Sequence, residues 1–342
     1  MITKKNLGLK SIYEFAGHHI IWLTGWMLIV TSLYYFTQWD FLSIPWLPLS
    51  LIGTAVAFYV GFKNNEAYDR LWEARKIWGA IVNNSRMLST MIKNFKSSDD
   101  STLSELELAA IKKQFVYRHI AYLYQIREQL IKPTVWEHVR LRWNFGKYNQ
   151  ARQNRIFSFF QNDLNEIKDL KYLSKDEIKS LESFANKATQ LLDKQTEIVQ
   201  QLFQVNHINL MQQMELQRAI NSFYDEQGKA ERIKNFPFPR HYGSFSFVFV
   251  CIFVFLLPFG IVGEMKLLGE GMIWMSIPIG VIVGWVYIVM ELIGDYSENP
   301  FEGLYNDIPM LSICRMIEID MLQMMGQTNV PNPITSKNDI LM

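Results

Sequence analysis

One group of acidic residues in this 342-residue chain falls in the stretch GDYSENPFEGLYNDIP, which carries Asp295, Glu298, Glu302 and Asp307 and is broken by Pro300 and Pro309. Hard oxygen donors on a turn are the chemistry that holds calcium. The regular spacing of an EF-hand is absent, and a plain acidic link is the simpler alternative. The histidines, at positions 18, 19, 119, 138, 207 and 241, show no HExxH or other metal spacing. A haem ligand at His18 or His19 lacks an evident facing histidine, so interfacial histidines are the simpler reading there. Cys251 and Cys314 are far apart in sequence and make no CxxC or Cys/His cluster, so neither a zinc site nor a disulfide framework is expected. No GxSxG or P-loop occurs. An enzyme or sensor reading is therefore left without a named residue.

A second kind of chemistry, the passage of ions, is open to the residues between Leu47 and Phe62. Thr54, Phe58 and Phe62 recur every four residues and share one helix face. Gly53, Ala57 and Gly61 form a parallel row rotated by about 100°. Small residues at this spacing let membrane helices approach closely. One row can thus pack on a neighbour while the other faces a different space. Phe58 and Phe62 are either ordinary packing aromatics or a hydrophobic constriction of the kind that gates by dewetting.

These rows sit on one long helix. Residues 44–62 are apolar, Lys63, Asn64 and Asn65 mark the exit from the bilayer, and the charged segment to Arg86 contains no proline. Glu66 and Arg70 are an i,i+4 pair in the favourable order. A first apolar span is expected over 18–36, a third over 244–262 and a fourth over 272–293, each near the roughly 20 residues that cross a bilayer. Pro278 is expected to kink the fourth. The N-terminus has no signal-peptide layout, so the first span is expected to be retained.

Between the second and third spans, residues 63–242 read as a soluble helical body. Helices are expected over 63–95, 105–131, 133–145, 151–170, 174–207 and 208–233, with a polar break at 96–104. Ser174 and Glu177 form a capping-box pattern. The two prolines of NFPFPRH, Pro237 and Pro239, impose an extended link back to the membrane. A last helix is expected over 311–325, and the tail from Gly326 is expected to be loose. The regions are thus 1–62, 63–242, 243–293 and 294–342. The short loops 37–43 and 263–271 hold only Lys266 between them, whereas the other flanks are basic. The body and both termini are therefore expected in the cytosol, with the chain multi-pass in the inner membrane. A formal charge of +1 argues against nucleic acid as a partner.

Several stretches together resemble the bestrophin family, in particular its bacterial branch: GFKNNEAYDRLWEARKIWGAIVNNSR, RIKNFPFPRHY, LLPFGIV and ENPFEGLYNDIPM with ICRMIE after it. They lie in family order and cover most of the chain. The resemblance implies an all-α integral membrane protein: a pentamer with four transmembrane helices per subunit and a large cytosolic helical body around one central pore. It places the neck at Thr54, Phe58 and Phe62, with Thr54 departing from the bulky apolar residue usual there. Met211 is the nearest match to a cytosolic constriction. Asn299 and Asp307 match positions of a calcium cluster in animal members, but Leu304 and Tyr305 interrupt its dense acidic run, so calcium is not an expected requirement.

The leading function is a channel for inorganic monovalent ions, chloride and other anions first, with a monovalent-cation channel of the same fold as the alternative. A membrane-anchored enzyme or sensor is the rival class. A secondary transporter would need paired repeats and broken helices, for which four spans leave little room.

Overall fold

A computed structural model describes residues 1–96, 103–141, 143–168 and 172–342. Its helices are α1 (Leu9–Ile12), α2 (His18–Thr37), α3 (Trp46–Asn94), α4 (Glu105–Ile131), α5 (Trp143–Phe159), α6 (Gln161–Lys168), α7 (Lys175–Glu182), α8 (Lys187–Gln204), α9 (Leu210–Asn235), α10 (Arg240–Leu267), α11 (Ser276–Asp295) and α12 (Met310–Met324). Among the described residues there is no strand, only isolated bridges from Ile340 to Ile2 and to Lys337. Among the described residues, four helical stretches are long and apolar enough to cross a membrane: Leu9–Thr37, Asp40–Asn94, Arg240–Leu267 and Glu270–Asp295. Helix α3 is continuous from its apolar start to its charged end, as its unbroken sequence predicts.

The chain divides into two compact units. The apolar unit comprises Lys4–Leu71 and Pro237–Asn299. Its core gathers Leu23 of α2, Leu49, Val56 and Val60 of α3, Val250, Phe253, Val254, Leu257 and Ile261 of α10, and Ile288 of α11. Apolar packing is not directional, so the few polar contacts set the register. The Trp26 indole donates to the Phe255 carbonyl at 3.1 Å. Tyr13–Gly17 is a π-turn. The Trp285 indole donates to the Ala16 carbonyl within it at 3.1 Å. Pro278 does not kink the fourth span. A 3-10 turn over Glu270–Met275 precedes α11, and Pro278 falls in the first turn of that helix, where an N–H has no intrahelical partner to lose. Gly269, at φ +130°, supplies the left-handed bend before this turn.

The polar unit comprises Met1–Thr3, Trp72–Phe236 and Pro300–Met342. Here α4 packs against α8 and α12, and α8 against α9. Ser104 and Glu107 close a full capping box on α4, and Asn209 and Gln212 close another on α9. At α7, Ser174 accepts the Glu177 N–H as its sequence predicts.

Three expectations fail here. The helix expected over 133–145 is absent: Pro133 leads into turns and a 3-10 turn over His138–Arg140, and α5 starts only at Trp143. Glu137 binds Lys234 and accepts the Thr134 N–H at 3.1 Å, while Glu302 accepts the His138 N–H at 3.1 Å. Carboxylates thus take donors a helix would use. The helix expected over 174–207 is two helices, because Asn186 caps α8 through the Thr189 N–H at 3.0 Å. The tail is fastened rather than loose. Ile334, Ile340 and Met342 are buried, Lys337 pairs with Asp163 at 2.8 Å, and the Thr3 N–H donates to the Asp339 carbonyl at 2.9 Å. The polar break expected over 96–104 lies largely outside the described residues.

Candidate functional site

One side of α3 is a buried seam: Leu49, Val56, Val60, Lys63 and Ala67 recur at steps of three, four and seven residues. Gly53 lies beside it, and a Cβ there would come within 2.7 Å of the Phe253 ring. The Tyr287 hydroxyl donates to the Gly53 carbonyl at 3.0 Å. The expected small-residue row holds only at Gly53. Each step of four residues overshoots a full turn by about 40°, so the row drifts off the seam, and at Gly61 an added Cβ would meet open space.

The other side of α3 carries the predicted row. Phe58 is 69% exposed and Phe62 54%, and their rings meet edge to face with centroids 4.6 Å apart. They are therefore not core aromatics of their own chain. Leu47 and Leu51 extend the exposed apolar face. Thr54 joins it, but its hydroxyl donates back to the Ser50 carbonyl at 2.9 Å. That bond satisfies the polar group within its own helix, so Thr54 adds little polarity to the row.

Sequence reasoning missed a buried charge cluster beside this row. Lys63, the residue after Phe62, is only 1% exposed and binds Glu291 of α11, itself 5% exposed. The other carboxylate oxygen of Glu291 accepts the Ser246 hydroxyl of α10 at 2.5 Å. Asp295 lies 3.9 Å from the Lys63 ammonium. Asn64 donates to the Met290 carbonyl at 3.0 Å. The missed signal was a carboxylate, Glu291, inside an otherwise apolar span, a placement that calls for a partner.

Met211 stands in the first turn of α9 and is 79% exposed. Asn299, in the apolar unit, is buried, and its amide nitrogen has no hydrogen-bond partner among the described residues. Asp307, in the polar unit, is buried and accepts the Leu304 N–H at 2.9 Å. In that unit Glu302 is occupied by His138, whose Nδ1 lies 3.0 Å away. Among the described residues no three His, Cys, Asp or Glu side chains converge as a metal site would require.

Burial, and then the neighbouring Glu302 charge, raise Asp307 from an ordinary 3.8 to about 7. A raised carboxyl favours the protonated fold, so its contribution is complete at low pH and is lost as pH rises through about 7. Melting between about pH 5 and pH 8 is expected to show stability falling with pH, by up to about 3 kcal/mol. Asp307→Asn is expected to flatten that profile. An unchanged slope in the variant would assign the dependence elsewhere.

The chain is 25% identical over 287 residues to the voltage-dependent anion channel-forming protein YneE of Escherichia coli K12, covering 84% of this chain and 79% of that one. It is 27% identical over 280 residues to the voltage-dependent anion channel-forming protein alr2987 of Nostoc sp., covering 81% and 76%. The fold is similar to that of a bacterial bestrophin homologue from Klebsiella pneumoniae, with a TM-score of 0.73 at 20% identity over 91% of this chain and 98% of that one. Residues 11–323 match the family described as bacterial/fungal bestrophin protein. With that match over most of its length, joined to four apolar helices and the exposed Phe58–Phe62 face, the chain belongs to the bacterial and fungal bestrophin family.

Proposed function

We propose that this protein is an anion channel: a pentamer in the cell's inner membrane, with both termini and the polar unit in the cytosol, whose α3 helices surround one pore. The observation that carries the proposal is the exposed Phe58–Phe62 pair on the side of α3 opposite its buried seam. One helix row cannot enclose a pathway, so a ring of copies is required. In that ring Thr54, Phe58 and Phe62 form a short apolar neck with no fixed charge, which excludes water when narrow and conducts when the rings withdraw. Met211, exposed at the start of α9, forms a second constriction on the cytosolic side. The anion preference is supported by the relatives named as anion channel-forming proteins.

The test is the reversal potential of purified, reconstituted protein under a KCl gradient. A shift toward the chloride equilibrium potential is expected. A shift toward that of potassium would make it a cation channel of the same fold. Silence from verified oligomers, with the closed state excluded by the neck substitutions discussed below, would overturn the channel itself.

A further inference from the structure

We propose that Lys63, Glu291 and Ser246 form a positioning cluster that sets the rotation of α3, and so the aim of Phe58 and Phe62. The proposal rests on the neck assignment above. Lys63 occupies a register position that continues the buried seam of Leu49, Val56 and Val60, where an apolar side chain would pack at no electrostatic cost. A buried ammonium is tolerated only when paired, and a paired one stabilises no better than apolar packing of the same volume. What an ion pair adds is direction. An apolar seam permits a helix to turn by a fraction of a residue step, whereas the Lys63 ammonium has a fixed partner.

The partner is itself held. Glu291 of α11 gives one oxygen to Lys63 of α3 and the other to the Ser246 hydroxyl of α10, so three helices meet at one carboxylate. Asn64 reinforces the grip through the Met290 carbonyl. It lies so close to α11 that a Cβ on Gly294 would come within 2.0 Å of the Asn64 Oδ1 atom. Near the other end of the row, the Tyr287 hydroxyl holds the Gly53 carbonyl. Two polar pins from the same helix, α11, therefore bracket the segment that carries Thr54, Phe58 and Phe62. Rotation of that segment requires the Lys63 pin to break or its carboxylate to move.

The experiment uses the full chain in planar bilayers, with Cys251→Ala and Phe58→Cys, and reads both current and the rate at which a charged thiol reagent modifies position 58. Lys63→Met is expected to change that rate and the open probability by at least about fivefold, the lower end of ordinary coupling between sites. Lys63→Arg is expected to keep both near the parent values. Should Lys63→Met fail to assemble because Glu291 is left unpaired, Lys63→Met with Glu291→Leu removes both charges and is expected to assemble with the altered rate. Modification that alters the current at a rate indifferent to Lys63 would overturn the positioning role and leave the neck standing. Modification without effect on current would overturn the neck assignment, and with it this proposal. Failure of both variants to assemble would make the cluster a folding determinant and overturn the positioning role.

Discussion

Phe58→Ala combined with Phe62→Ala is expected to raise the current through reconstituted protein about tenfold, the change that about 1.4 kcal/mol off a barrier produces. The two rings lean on each other edge to face and project from the exposed side of α3, so no core contact of their own chain is lost with them. Alanine at both positions widens the apolar row and lets water enter it. Since neither ring carries charge, ion preference is expected to survive while conductance or open time grows. Single-channel recording of correctly assembled double mutant decides the matter. Wild-type currents from it would sink the neck assignment.

The largest expected effect on stability lies in the polar unit, at Glu318. This carboxylate is buried on α12 and accepts the hydroxyls of Tyr124 and Tyr172. It pairs with Arg315 at 3.1 Å, and the guanidinium also reaches Glu166 at 3.1 Å. Burial, with the Glu318 carboxylate alongside, pushes both tyrosine hydroxyls well above their usual range, so they stay protonated and donate. Glu318→Ala leaves the buried Arg315 cation only the half-exposed Glu166 as its carboxylate partner and strands two hydroxyls, at an expected cost of about 3 kcal/mol. Arg315→Met with Glu318→Leu removes the charges together and is expected to cost less than Glu318→Ala alone. Thermal melting of the three proteins in detergent measures the difference. A double variant as unstable as the single one would show that packing, not the unpaired charge, sets the cost.

Much of the helix inventory was legible without coordinates. Helix α4 begins at Glu105 and ends at Ile131, as its polar flank and Lys-Pro terminus indicate. The long α3 follows from an apolar run passing into a charged one with no breaker between them. Ser174 caps α7 because a side-chain oxygen three residues before Glu177 needs nothing but local geometry. The Thr54, Phe58 and Phe62 row was legible for the same reason, since four-residue spacing decides which residues share a face.

The failures over 133–145 and in the tail have a common cause in partners that lie far off in sequence. Nothing near Glu137 or His138 announces that Lys234 and Glu302 will engage them and displace the helix expected over 133–145. The tail after Gly326 is polar, yet Lys337 finds Asp163 and Ile340 finds Ile2, and both contacts depend on chain closure over long separations. The Lys63–Glu291 pair joins residues 228 positions apart.

By itself, then, the sequence determined what depends on periodicity and composition: four apolar helices, a polar helical unit, and an aromatic row on α3. Periodicity places residues on a face but does not say what that face meets. Only the tertiary structure decided that Val56, Val60 and Lys63 form the buried side while Phe58 and Phe62 stay exposed. It also decided that a lysine beside the row is anchored rather than solvated, because the energy of a buried charge is set by the partner that folding brings to it.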